Sequence, residues 1–137
     1  MHSNAGQLLA ADFYLAVWPE WPEMEKIFIN ALNYSGMHVI KKLLHKFEPQ
    51  GETCIWLLEE SHMAVHTYPE KKYFAIDVFT CGEEGSPMDT INYLQKNLIV
   101  KTHVLNIVPR GKLTNGGKKE INKEKSSANK QGFIRAG

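Results

Sequence analysis

The sequence predicts an α+β fold: a two-layer sandwich in which an antiparallel sheet carries helices on one face. Three observations lead there. Apolar runs of strand length recur along the chain, and two stretches repeat apolar residues at helical spacing. Their order is strand, helix, three strands, helix, strand, which argues for an antiparallel sheet with helices packed on one face. With 137 residues and 43% apolar content, the chain supports one domain with a modest core.

Gln7 to Tyr14 is apolar enough to be the first, buried strand. Pro19 and Pro22 suit a loop that enters the first turn of a helix, in which Met24, Ile27, Phe28, Ala31 and Leu32 form one apolar face and Gly36 supplies the stop. Met37 to Phe47 and Thr53 to Leu58 read as a hairpin around the turn Pro49-Gln50-Gly51-Glu52. Lys71-Lys72 closes a turn before a strand from Tyr73 to Thr80. Ser86 can cap a second helix, with Pro87 at its first position, Asp89 at the positive end of its dipole, and Ile91, Leu94 and Leu98 on its buried side. Lys101 to Pro109 is the last strand, and Arg110-Gly111 ends the folded part.

Residues 112–137 are poor in apolar side chains and rich in Lys, Gly, Asn and Ser, which predicts a basic disordered tail. This tail carries seven Lys or Arg and two Glu, a net +5 against +1 for the whole chain, so residues 1–111 carry −4. An acidic body suits a small cationic substrate. The apolar runs fall short of the roughly 20 residues that span a bilayer, and the N-terminus has no basic region followed by an apolar run. A cytoplasmic protein without membrane contact is expected. The tail lacks interleaved aromatics apart from Phe133, so nucleic acid is not an expected partner. Cys54 and Cys81 are expected to be reduced thiols.

Leu57 to Glu70 is where the chemistry gathers. Ser61, His62, His66 and the acids Glu59, Glu60 and Glu70 lie beside strand-like apolar positions, more polar chemistry than a small core normally admits. The run from Tyr73 ends in Cys81-Gly82, and two neighbouring strands are expected to bring Ser61, His66 and Cys81 together. Taken singly, Ser61 reads as a surface hydroxyl, His66 as a hydrogen-bonded core histidine, and Cys81, like Cys54, as a small hydrophobe. Metal binding is the rival use of the histidines. In a strand, however, His62 and His66 would be about 13 Å apart, too far for one zinc, so no metal is expected.

The pattern as a whole is more specific than its parts. Glu60-Ser61-His62, His66-Thr67 followed by an aromatic and Pro69-Glu70, and Asp77 leading to Phe79-Thr80-Cys81-Gly82 resemble the small bacterial S-adenosylmethionine decarboxylases. Phe47, Pro49, Gln50 and Gly51 extend the likeness, which covers roughly residues 7 to 110. That family makes its own pyruvoyl cofactor by self-cleavage. The resemblance implies a cut between Glu60 and Ser61 giving a β chain of 1–60 and an α chain of 61–137, with Ser61 converted to the pyruvoyl group that forms a Schiff base with substrate. By the same token His66 and Thr53 assist processing, Cys81 is the proton donor, and Phe47, Tyr68 and Glu70 bind S-adenosylmethionine. A homodimer of αβ protomers serving spermidine synthesis is implied as well. The chain departs from the family's usual pattern in four places: the family usually has histidine near Gln7, Gly-Cys at Leu15-Ala16, serine at Thr53 and tryptophan at Tyr68. Arginine or ornithine decarboxylation on the same fold, and an unprocessed non-catalytic homologue, are the alternatives.

The chemistry asks for such a group. Decarboxylating an α-amino acid leaves electrons on the α-carbon, and no ordinary side chain can accept them, so a carbonyl must condense with the substrate amine. Making that carbonyl from Ser61 requires a strained peptide, a base and a place for the developing oxyanion.

Overall fold

The computed structural model describes residues 6–59, 61–81 and 86–111. In chain order it holds β1 (Gly6–Leu15), α1 (Trp21–Tyr34), β2 (Val39–Lys46), β3 (Glu52–Leu58), β4 (Ser61–Tyr68), a single 3-10 turn at Pro69–Lys71, β5 (Tyr73–Cys81), α2 (Pro87–Asn97) and β6 (Val100–Arg110). The strands form one sheet in the order β2-β3-β4-β5-β1-β6, with every pair antiparallel.

Alternation along the strands decides which face is covered. Leu9, Ala11 and Phe13 of β1, Cys54, Trp56 and Leu58 of β3, Met63 and Val65 of β4, and Phe74, Ile76 and Val78 of β5 are all buried, each two residues from the next. Against them lie Met24, Phe28 and Leu32 of α1 and Ile91 and Leu94 of α2, the apolar stripes that the helical spacing predicts. Aromatic rings knit the layers: Phe13 stacks on Phe74 at 5.0 Å, and Phe28 meets Phe74 edge-on at 5.2 Å. Burying each such side chain contributes about 1.5–3 kcal/mol. Ser35, after α1, donates to the Ala31 carbonyl at 2.6 Å and shares a buried 2.7 Å hydrogen bond with Thr90 of α2, tying the two helices.

The helix signals work as read. Pro22 lies in the first turn of α1, and Gly36 follows its end with φ +79°. In α2 the Ser86 hydroxyl accepts from the Asp89 backbone N–H, and Pro87 opens the helix. Among the described residues no helix covers the opposite sheet face. It is lined by Leu43, Ile55, Leu57, His62, His66, Tyr68, Tyr73, Asp77 and Val108, and Leu43 is 72% exposed.

Two expectations change. The predicted order has three strands between the helices, and the structure has four, because residues 61–68 are a strand in their own right. Its alternation sets Met63, Val65 and Thr67 on the covered face and His62, Ala64 and His66 on the open one, so the polar side chains mask a regular strand. The first and last strands also reach one residue further at each end, Gly6 to Leu15 and Val100 to Arg110. The tail predicted for 112–137 lies outside the described residues.

Candidate active site

The strand register sorts the singled-out residues into two groups at opposite ends of the sheet. At one end Ser61 opens β4, in register with Leu58 on one side and Thr80 on the other. Cys81 is the next residue of β5 and pairs with Gly6 of β1, which pairs in turn with Arg110. A Cβ at Gly6 would overlap the Thr80 carbonyl oxygen, so only glycine allows this close approach. Beside Cys81 on the open face, the Phe79 ring lies between His62, with centroids 5.7 Å apart, and the Arg110 guanidinium at 5.9 Å.

At the other end His66 of β4 faces Thr53 of β3, and its Nδ1 is 3.0 Å from the Thr53 hydroxyl. Tyr68 ends β4, Glu70 sits in the following 3-10 turn, and Gln50 donates to the Glu70 carboxylate at 3.3 Å. Phe47 follows β2, its N–H donating to the Gly51 carbonyl at 2.8 Å. Gly51 has φ +101°, a turn conformation that favours glycine. Phe47 is 49% and Tyr68 41% exposed, so both rings stand clear of the core.

Within one chain the expected meeting of Ser61, His66 and Cys81 is therefore only half realised. Ser61 and Cys81 lie on adjacent strands at one end. His66 is five residues further along β4, about 17 Å away in extended chain. The faces differ too: Ser61 shares the covered face with Leu58 and Thr80, whereas His66 and Cys81 are on the open one. An odd separation along a strand always reverses the face, a constraint that the grouping by sequence proximity overlooked. Glu60 lies outside the described residues.

Between the two ends the open face carries acids that the sequence reading left without a task. Burial holds the Asp77 carboxyl above the usual carboxylate range, against the opposing pull of His66 and His62. Asp12 accepts a 2.6 Å hydrogen bond from the Tyr73 hydroxyl, and burial together with this acid pushes the Tyr73 phenol up. Each acid interrupts an otherwise apolar strand, Ala10-Ala11-Asp12-Phe13 and Ala75-Ile76-Asp77-Val78, a signal that was available in the sequence. Cys54, by contrast, is fully buried, and burial pushes its thiol up to about 12, so it packs as a hydrophobe. Neither Cys54 nor Cys81 is in a disulfide.

The chain has relatives among known proteins. The S-adenosylmethionine decarboxylase family model matches residues 15–111. An S-adenosylmethionine decarboxylase proenzyme of Methanococcus maripaludis is 46% identical over 100 residues, covering 72% of this chain and 81% of that protein. One from Pelotomaculum thermopropionicum is 38% identical over 99 residues, covering 72% and 79%. In three dimensions the crystal structure of the adenosylmethionine decarboxylase from Aquifex aeolicus aligns with a TM-score of 0.72 at 24% identity, over 82% of this chain and 95% of that one, a likeness of fold. By the extent of these matches, the chain belongs to the S-adenosylmethionine decarboxylase family.

Proposed function

We propose that this protein is a self-cleaving, pyruvoyl-dependent decarboxylase of S-adenosylmethionine. The observation that carries this reading is the position of the Glu60–Ser61 link. β3 ends at Leu58 and β4 opens at its register partner Ser61, so a cut just ahead of Ser61 leaves both strands whole. The Ser61 hydroxyl attacks the Glu60 carbonyl, exchanging the amide for an ester. Loss of the Ser61 α-proton then expels the Glu60 carboxylate, leaving dehydroalanine, and water replaces its nitrogen, released as ammonia, to leave a ketone on residue 61.

The residues present fit such a group. It needs no binding pocket, since it is made from the first residue of a strand held on both sides by Leu58 and Thr80. When formed, the group supplies an electron sink for the substrate's α-carbon. Cleavage frees the N-terminal side of Ser61 from the turn and lets the end of β4 swing from the covered face toward Cys81. The Cys81 thiol, on the adjacent strand, gives the proton that the α-carbon takes up after carbon dioxide leaves. His66 and Thr53 form a donor–acceptor pair for moving the protons of self-cleavage, with the threonine hydroxyl standing where the family usually has serine.

Within one copy, His66 and Thr53 are too far from Ser61 to serve it. We infer a homodimer in which the open sheet faces meet about a two-fold axis. One copy's Thr53–His66 end then lies against its partner's Ser61–Cys81 end. Leu43, Ile55, Leu57 and Val108, exposed on that face, supply the apolar surface such a contact buries. Phe47 and Tyr68 offer ring faces to adenine and Glu70 a carboxylate to ribose hydroxyls, which favours S-adenosylmethionine over arginine or ornithine. Two measurements test the assignment together. A denaturing mass spectrum is expected to show chains 1–60 and 61–137, the second lacking the Ser61 amine, and carbon dioxide is expected from S-adenosylmethionine but not from arginine or ornithine. An intact chain without carbon dioxide release sinks the proposal.

A further inference from the structure

Three tyrosines cross the open face in one row. Tyr14 of β1 is in register with Tyr73 of β5, and Tyr73 with Tyr68 of β4. Their rings form a continuous stack: Tyr14 to Tyr73 at 4.9 Å and 23°, Tyr73 to Tyr68 at 5.3 Å and 16°. Near-parallel rings at these spacings attract beyond their buried area. The middle ring is pinned, since its hydroxyl donates to Asp12 at 2.6 Å. The raised pKa of that hydroxyl keeps it a donor across the physiological range.

On its other side Tyr68 adjoins a glycine. Continuing the Thr53–His66 register by two residues sets Gly51 beside Tyr68, and the space where a Gly51 Cβ would sit is 3.3 Å from the Thr67 carbonyl and 3.9 Å from Pro69 Cδ, the residues flanking Tyr68. Phe47 is paired with Gly51 in turn. Phe47 and Tyr68 are thus two strand spacings apart, about 9.6 Å, with Gly51 between them and the Phe47 ring edge-on to His45 at 4.6 Å. A flat base clamped by two rings needs roughly 7 Å, two contact distances of about 3.5 Å.

We propose that Tyr73 and Tyr14 are positioning residues for substrate: they back Tyr68 so that its ring stands fixed with one free face, turned across Gly51 toward Phe47, ready to stack on an adenine. The inference rests on the reading above that Phe47 and Tyr68 receive the base. It adds that binding strength depends on a ring remote from the ligand. A ring without this backing can fold down into the gap or turn edge-on, and the substrate must then order it on binding.

The experiment compares the full chain with Tyr73→Leu, Tyr73→Phe and Tyr14→Leu. Equilibrium binding of 5′-methylthioadenosine, an adenine thioether with no carboxylate to lose, is measured beside kinetics on S-adenosylmethionine. Tyr73→Leu is expected to weaken both Kd and KM by about three- to tenfold. The extent of self-cleavage is expected to stay unchanged and kcat to stay within about twofold. Tyr73→Phe keeps the ring and loses only the Asp12 bond, so it is expected to bind within about twofold of the parent. Parental thioadenosine affinity in Tyr73→Leu, or a loss confined to kcat, overturns the ladder. If Tyr73→Leu does not fold, Tyr14→Leu at the outer end of the stack decides, with weaker binding expected and parental binding overturning. A parent chain that neither cleaves nor decarboxylates sinks the activity reading instead, while thioadenosine binding still judges the ladder.

Discussion

Asp77 is a carboxylate whose charged form the fold disfavours. It sits among apolar neighbours on the open face, and burial raises its pKa despite His66 and His62 close by. A raised folded-state pKa means that the native protein holds this proton more tightly than the unfolded chain. The stability it contributes is complete below the unfolded-state pKa and is lost as pH rises through the higher folded value. Asp77→Asn removes that loss. The variant is expected to melt above the parent at pH 7, on the order of 2 °C once solvent access is discounted, with the two converging near pH 4. A variant that melts below the parent at pH 7 would mean that the histidine attraction outweighs burial. Keeping a costly acid near two histidines fits the proposed self-cleavage, in which protons must move.

The elements explain how the molecule would survive the proposed cut. Chain 1–60 would supply β1, α1, β2 and β3, and chain 61–137 β4, β5, α2 and β6. In the sheet β1 lies between β5 and β6, and the β4–β5 pair lies between β3 and β1, so strands of each product are enclosed by strands of the other. The processed chains are therefore expected to co-elute on size exclusion in native buffer and to part only in denaturant. Separation without denaturant would contradict the observed strand order. Most of these elements were legible, because caps, glycine stops and apolar periods are local signals: Ser86, Pro87 and Gly36 act as their chemistry dictates. The fourth strand between the helices was hidden, since His62, His66 and Ser61 looked like a chemical cluster rather than one strand with two faces. The motif singled out Ser61 and His66, but their spacing could not say that β4 carries them to opposite ends of the sheet. Nor could local patterning announce the tyrosine row, for Tyr14, Tyr68 and Tyr73 meet only through a register set by three strands.

At the scale of the whole molecule, the separation of the two ends makes a claim that genetics can test. If self-cleavage of one copy uses His66 of another, the two defects Ser61→Ala and His66→Ala complement each other. A Ser61→Ala chain cannot be cut but still offers an intact Thr53–His66 pair; a His66→Ala chain has its serine and lacks that pair. In a mixed dimer one of the two sites then has both parts, and the other has neither. Each variant alone is expected to stay largely uncut, since losing a positioned proton-transfer group costs about 10²–10⁴ in rate. Co-expressed, the His66→Ala chain is expected to be cleaved in every mixed dimer, and the mixture to recover decarboxylation from that one site. Leu57→Glu on the serine-intact chain is expected to abolish the rescue, by placing a charge on the open face where Leu57 is now 49% exposed. Rescue that survives Leu57→Glu would move the contact to another surface. No rescue from a demonstrated mixed dimer would mean that one chain bends to bring His66 to its own Ser61, across about 17 Å of strand that the sheet holds straight from both sides.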